Sequence, residues 1–330
     1  MLKTKMGSLT SQTRYHDTIM RYFQSLETNE QTTVENRYRN VLDCITELWV
    51  DSSKNPSVFK DAKDFEPILQ RMPYYRDHFI HSFNVFTLGY YIINRLKEIT
   101  PTIDFKSNDY NLSWMLAATF HDVAYPIQTM ESWLNELFER FLGVNPHFHY
   151  NISEVMPMIY VDFMRMLSQW HKSPFQNSLG GGNLDWAFYN EIASKLVKKD
   201  HGVVGALMLA HLLAVKEGCA TERKWDFLFN HLPACHAISL HHLSSIPVEF
   251  HKHPLAYILV LCDELQDWGR PSSQKNPALI ELKDIGVASI NGISTIQLNI
   301  ESSNKRKKEL EDTISQRLLS NGKIEIKIEA

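Results

Sequence analysis

SWMLAATFHDVAYP, residues 113–126, is a nearly unbroken apolar stretch that closes on a histidine and an aspartate, with a proline four residues on. A helix this apolar on every side belongs inside a core. Pro126 ends or kinks it. The aspartate is then costly, because a carboxylate at the end of a buried helix needs a partner or a cation. His121 beside it is another common metal ligand. Adjacent helical residues point about 100° apart, so both reach one ion only if it sits near the helix end, between them. Taken alone, His121–Asp122 is also what a capping aspartate with a neighbouring histidine looks like.

The surroundings of this stretch are mostly helical. On its N-terminal side a long helix is expected over residues 76–96, with Phe79, Phe83, Phe86 and Tyr90 along one face. Before that, residues 11–26 and 32–50 carry apolar positions three and four apart, and Pro56, Pro67 and Pro73 punctuate the chain between. On the C-terminal side helices fit about 128–142 and 156–171, separated by a loop at 143–155. SLGGGNLD, residues 178–185, is a loop, and Asp185 caps the helix that follows it. Further helices fit 201–217, 224–231, 234–243 and 253–267. After GRPSSQKNP the pattern changes. VASINGISTIQLNIES alternates as one or two strands with a turn at Asn291–Gly292. KRKKELEDTISQRLLSNG is a helix ended by Asn321–Gly322, and KIEIKIEA is a strict period-two strand. The fold class expected is mainly α: a helical bundle with a small C-terminal α/β appendage of ββαβ type. Residues 1–75 form a helical segment packed on the core, 76–270 the principal domain, and 271–330 the tail.

Composition narrows the function classes. The chain has 330 residues, 44% of them hydrophobic, enough for a substantial core without disulfides. A net charge of −4 gives no global electrostatic case for nucleic acid or an anionic membrane. The four cysteines, Cys44, Cys219, Cys235 and Cys262, form no CxxC pair and are expected as reduced thiols in a cytoplasmic protein. The polar N-terminus has no apolar signal core. No stretch approaches the roughly 18 apolar residues of a membrane span, LAYILVLC at 255–262 being too short.

Fifteen histidines make position the deciding criterion. His81 lies among Phe79, Ile80 and Phe83. His201 opens HGVVGALMLAHLL, in which Gly205 lets a neighbouring helix approach closely. His241 and His242 follow ACHAISL, and Asp263 closes LAYILVLCD. Each has a bland explanation as a satisfied core histidine or a helix-end acid. Together with His121–Asp122 they recur on separate apolar helices. The remaining histidines, His147, His149, His171, His231, His236, His251 and His253, fall outside this pattern. HFH and HKH lie in loop-like segments and are expected to be solvated. The basic run Lys305, Arg306, Lys307 and Lys308 is expected as the solvated start of the tail helix.

The order His, His-Asp, His, His-His, Asp over residues 76–270 resembles the HD-domain superfamily of metal-dependent phosphohydrolases. HSFNVFTLG, AATFHDVAYP, DHGVVGALML, SLHHL and YILVLCDELQDW look like its successive segments. The resemblance implies an HD-domain-like helical bundle and a first metal bound by His81, His121, Asp122 and Asp263. His201 with His241 or His242 would complete a second metal bridged by Asp122, or contact substrate phosphate if only one ion is held. Such donors suit one or two divalent ions of Mn, Fe, Co, Ni, Zn or Mg. The implied activity is hydrolysis of a phosphoester or phosphoanhydride in a small, phosphorylated, nucleotide-like substrate by a metal-activated water. His78, one turn before His81, can face the same cavity as an acid or as a support to a ligand. Arg76 and Arg270 are candidate phosphate clamps, and Asp267 could orient a ligand histidine. Each could equally be an ordinary surface group.

Departures from the pattern bear on the substrate. Tyr125 stands where family members acting on deoxynucleoside triphosphates or cyclic nucleotides carry a histidine, and could hydrogen-bond or stack on a base. No Gly-Tyr-Pro motif follows SLHHL, unlike in the cyclic-di-nucleotide phosphodiesterases, and the acidic motifs of the stringent-response hydrolases are missing. Two alternatives stand beside the enzyme: a nucleotide-sensing regulatory module on the same scaffold, and a metal-dependent nuclease with a local basic groove leading to the site. The sequence leaves the oligomeric state open, a homo-oligomer included.

Overall fold

In the computed structural model the protein is described over residues 14–28, 34–50, 58–69, 78–99, 109–144, 160–174, 183–216, 228, 230–265, 281–301, 303–322 and 324–329. Helices come first: α1 Arg14–Thr28, α2 Val34–Ile45 (running on into a π turn, Thr46–Val50), α3 Val58–Leu69, α4 His78–Ile99, α5 Asp109–Phe120 and α6 Tyr125–Leu142. Then follow α7 Tyr160–Lys172, α8 Trp186–Val197, α9 His201–Lys216, α10 Leu232–His241, β1 Val248–Glu249 and α11 Pro254–Glu264. The C-terminal part is β2 Glu281–Ile290, β3 Ile293–Glu301, α12 Asn304–Arg317, β4 Leu318–Leu319 and β5 Ile324–Glu329. The protein is thus mainly helical with a small C-terminal sheet region. Among the described residues no helix is long and apolar enough to cross a membrane.

The helices that are apolar on all sides lie innermost, as burial of every face requires. In α4 nearly every residue from His78 to Ile93 is buried, and α9, α10 and α11 are similar. α10 packs against α5, α7, α9 and α11, while α4 packs against α5 and α11. The Trp114 indole N–H donates to the Phe86 carbonyl at 3.0 Å and locks α5 onto α4. Gly205 performs the close approach expected of it: a Cβ there would stand 2.9 Å from the Phe120 carbonyl oxygen. Asp185 caps α8 as expected, its Oδ1 accepting from the Phe188 N–H.

In the C-terminal part β2 and β3 form an antiparallel hairpin and β5 adds beside β3 in parallel, giving the order β2-β3-β5. The turn falls at Asn291–Gly292, both with positive φ (52° and 80°). The sheet packs on α4 through β2. Several expectations need correction. β2 starts at Glu281, ahead of the alternating run that marks it in the sequence. The tail helix stops at Arg317, four residues before Asn321. Leu318–Leu319 leave it to pair in parallel with Val248–Glu249, since this backbone finds a ladder partner there. Pro67 lies inside α3, near its C-terminal end, rather than between helices. α6 begins at Tyr125, with Pro126 in its first turn, where a missing N–H costs nothing. The basic run at the start of α12 makes ion pairs one turn on, Lys305 with Glu309 and Lys307 with Glu311, as a solvated helix face does.

Candidate metal centre

Five elements deliver the polar residues of the site. His81 comes from the first turn of α4. His121 and Asp122 follow directly on α5, whose last turn is carried into His121 by its N–H bond to the Ala117 carbonyl (3.1 Å). His201 opens α9, His241 closes α10 and Asp263 sits one residue from the end of α11. His81, His121, His201 and His241 are all buried, the most exposed at 6%.

These residues form two groups of three, His81, His121 and Asp263, and Asp122, His201 and His241, each offering ligand atoms within 4.8 Å of one another. In the first, His81 Nε2 lies 2.9 Å from His121 Nε2 and 3.4 Å from Asp263 Oδ1. In the second, His201 Nε2 lies 3.2 Å from His241 Nε2. Asp122 stands between them. Its Oδ2 is 3.2 Å from His81 Nε2 and 3.7 Å from His121 Nε2. Its Oδ1 is 3.3 Å from His201 Nε2 and 3.8 Å from His241 Nε2. One carboxylate therefore presents an oxygen to each group.

The hydrogen bonds on the far side of the rings fix what those nitrogens carry. Gln128 Oε1 accepts from the His201 backbone N–H (3.2 Å) and lies 2.6 Å from His201 Nδ1. An oxygen that accepts the first bond requires Nδ1–H as the donor of the second. His241 Nδ1 donates to the Ile238 carbonyl (2.6 Å) and His121 Nδ1 to the Ala118 carbonyl (3.0 Å). In the neutral rings Nε2 therefore holds a lone pair. At His201 and His241 two lone pairs face each other and a carboxylate oxygen, a mutually repulsive set that a cation among them resolves. A backbone or amide acceptor on Nδ1 is the usual support of a metal-bound imidazole.

Electrostatics agree with a cation site. Burial alone would raise the Asp122 carboxyl, but His121, His201, His241 and His81 around it hold it well below the usual carboxylate range. Burial would likewise raise Asp263, and His121 and His81 reverse this. For His81 burial opposes the charged form, yet Asp122 and Asp263 raise it above an ordinary imidazole. Two ionised carboxylates and four imidazoles suit a divalent ion of the Mn–Zn series. These buried His/Asp groups could hold a metal ion.

Not every expected residue joins the two groups. His242 turns outward, its Nδ1 2.6 Å from Asp200 Oδ2, with a side chain 45% exposed, so His241 is the member of the pair directed at Asp122. His78 is buried, with Nδ1 3.2 Å from the carboxylate of Glu66, which is itself fully buried. Arg76, Arg270 and Asp267 lie outside the described residues. Tyr125 stands beside the site, its ring 5.6 Å from that of His201. Three supporting residues have no counterpart in the sequence reading: Gln128, Glu66 and Asp200. Asp200 caps α9, its Oδ1 accepting from the N–H groups of Gly202 (3.1 Å) and Val203 (3.3 Å). An aspartate directly before the apolar run HGVVGALML is a visible capping signal, whereas Glu66 and Gln128 reach the site only through the tertiary fold. Compared with family models, curated proteins and solved structures, the chain matches none of them.

Proposed function

We propose that the chain is a metal-dependent phosphohydrolase of HD type that cleaves a phosphoester or phosphoanhydride bond in a small nucleotide-like substrate. What carries this reading is Asp122, whose two carboxylate oxygens each face a different group of imidazoles. That arrangement favours two ions over one: His81, His121 and Asp263 would hold the first, His201 and His241 the second, with Asp122 shared. When bound, divalent metal supplies Lewis acidity, lowering the pKa of water and drawing charge from a phosphoryl oxygen. The protein's own contribution is to hold two carboxylates among the imidazoles and to fix the rings of His121, His201 and His241 by their Nδ1 bonds. Tyr125, at the start of α6 with its ring 5.6 Å from that of His201, would contact the substrate rather than an ion.

Elemental analysis and a hydrolysis panel test the proposal. The purified chain should carry divalent metal and release phosphate, pyrophosphate or a nucleoside monophosphate from a nucleotide, or cleave a generic phosphodiester. Asp122→Ala should lose more activity than the roughly 10–100-fold that follows from changes behind the ligands, together with its metal. Metal-free protein that turns over no nucleotide and no phosphodiester after loading with Mn, Fe, Co, Ni, Zn or Mg would sink the idea. A nucleotide that stabilises the protein without being consumed would point instead to a sensor.

A further inference from the structure

A second histidine cluster lies on the other flank of α10. His171 is the penultimate residue of α7, His236 sits in the middle of α10, and His253 immediately precedes α11. In sequence they look unrelated, and His253 belongs to a segment expected to be solvated; in the structure it is only 5% exposed and His236 only 1%. His171 Nδ1 lies 3.0 Å from His236 Nε2. One nitrogen from each of the three rings lies within 4.8 Å of the others.

The ring spacings are compatible with a shared ion, the His171 and His253 rings lying 12° from parallel. An ion about 2.1 Å from an imidazole nitrogen lies about 3.2 Å from the ring centre, so two such rings set about 90–110° apart have centres about 4.5–5.3 Å apart. The three distances here are 4.5 Å (His236–His253), 4.9 Å (His171–His253) and 5.3 Å (His171–His236). The pairs of the Asp122 centre, 4.9 Å for His81–His121 and 5.1 Å for His201–His241, fall in the same range. The cluster is also held from behind. Phe188 stacks on His171 with ring centres 4.2 Å apart. His253 Nε2–H donates to the His171 carbonyl (3.1 Å), which leaves Nδ1 as its lone-pair nitrogen.

We propose that His171, His236 and His253 form a separate metal centre that takes a zinc-type divalent transition ion, with one coordination position left to water or a small anion. Three imidazoles without a carboxylate select Zn, Cu or Ni over Mg or Ca. Because the ligands come from α7, α10 and the start of α11, the ion would tie together helices that also position His241 and Asp263. His236 and His241 are five residues apart on α10, about 7.5 Å along its axis, so the two centres are neighbours but not one site.

Cobalt(II) titration of the chelator-stripped full-length chain tests this, with bound metal counted by elemental analysis. Wild type should bind one equivalent more than His171→Gln or His253→Gln, and Asp122→Ala should keep that equivalent. Equal stoichiometry in wild type and both glutamine variants, or its loss in Asp122→Ala alone, overturns the proposal. Should the glutamine variants fail to fold, zinc-edge anomalous diffraction from zinc-loaded wild type decides. A peak bonded to the three imidazoles is expected, and no peak among them overturns it.

Discussion

Gln128 shows how much of a candidate metal centre can rest on a residue outside its groups of potential ligands. Its Oε1 accepts from both the backbone N–H and the Nδ1–H of His201, and so sets which ring nitrogen faces Asp122. Gln128→Ala should weaken metal binding at the His201–His241 group by roughly 10–100-fold while the far-ultraviolet circular dichroism stays unchanged. Gln128→Glu, which keeps an acceptor at the same reach, should restore most of the affinity in a competition titration with a chromophoric chelator. Asp200 acts differently, through stability. Its side chain caps α9 and pairs with His242, and although burial alone would raise it, the His242 bond holds its carboxyl down to about 2. His242 is raised in turn, first by that bond. A depressed carboxyl stabilises above the unfolded-state pKa and loses this as pH falls towards 2; a raised imidazole stabilises below about 6.5 and loses this as pH rises through its folded value. The pair is therefore strongest between about pH 4 and 6.5. Asp200→Asn keeps the cap and removes the pair, so its deficit in urea unfolding should peak in that window and stay near 1 kcal/mol or less, given the half-exposed His242. Asp200→Ala should cost about 1 kcal/mol more at every pH, through the lost cap. A deficit of Asp200→Asn that grows steadily up to pH 9 would contradict the assignment.

Between α9 and α10 the spacing is set by Gly202. A Cβ there would stand 2.9 Å from both the Ile238 carbonyl oxygen and His241 Cε1. The first is backbone and the second a ring pinned by its own Nδ1 bond, so neither yields cheaply. Gly202→Ala should push α9 from α10, displace His241 and lower cobalt affinity at the Asp122 centre more than it lowers the melting temperature. An alanine variant with wild-type metal affinity would mean the helices shift without cost. The same helices show what a sequence can and cannot reveal. His81, His121, Asp122, His201, His241, His242 and Asp263 stood out because a polar group in an apolar helix is expensive unless it is used; the pattern does not separate His241 from His242, which turns to Asp200 instead. Asp185 and Asn291–Gly292 were legible because caps and tight turns have local chemistry. Leu318–Leu319 was not, since two residues carry no period and their partner strand lies 70 positions away. Nor were His171, His236 and His253, which come from three elements, or His253 as a buried residue, because HKH has the composition of a loop while the fold places its last residue under α7.

The C-terminal appendage reaches into the support of the candidate metal centre. Arg317, the last residue of α12, is 7% exposed. Its guanidinium donates to the carbonyls of Leu240 (3.0 Å) and His241 (2.8 Å), and lies 3.7 Å from the Glu264 carboxylate. The last carbonyls of a helix have no partner within it, and those of α10 receive a cation, which the negative end of the helix dipole also favours. Arg317 thereby joins the residue after Asp263 to the backbone of His241, one from each group around Asp122. β4 pairing with β1 secures the same corner. Arg317→Met keeps the length of the side chain but removes both carbonyl bonds, and should cost about 2–4 kcal/mol in urea unfolding, since hydrogen bonds from a charged group are worth about 1.5–3 kcal/mol each and are not additive. Arg317→Lys restores the charge without the two-pronged geometry and should recover less than half of that loss. The diagnostic measurement is metal affinity on protein that remains folded. If Arg317 holds His241 and Asp263 in register, both variants weaken cobalt binding at the Asp122 centre in the order Met, then Lys. Stability loss with unchanged affinity would reduce Arg317 to a clamp between the appendage and the helices.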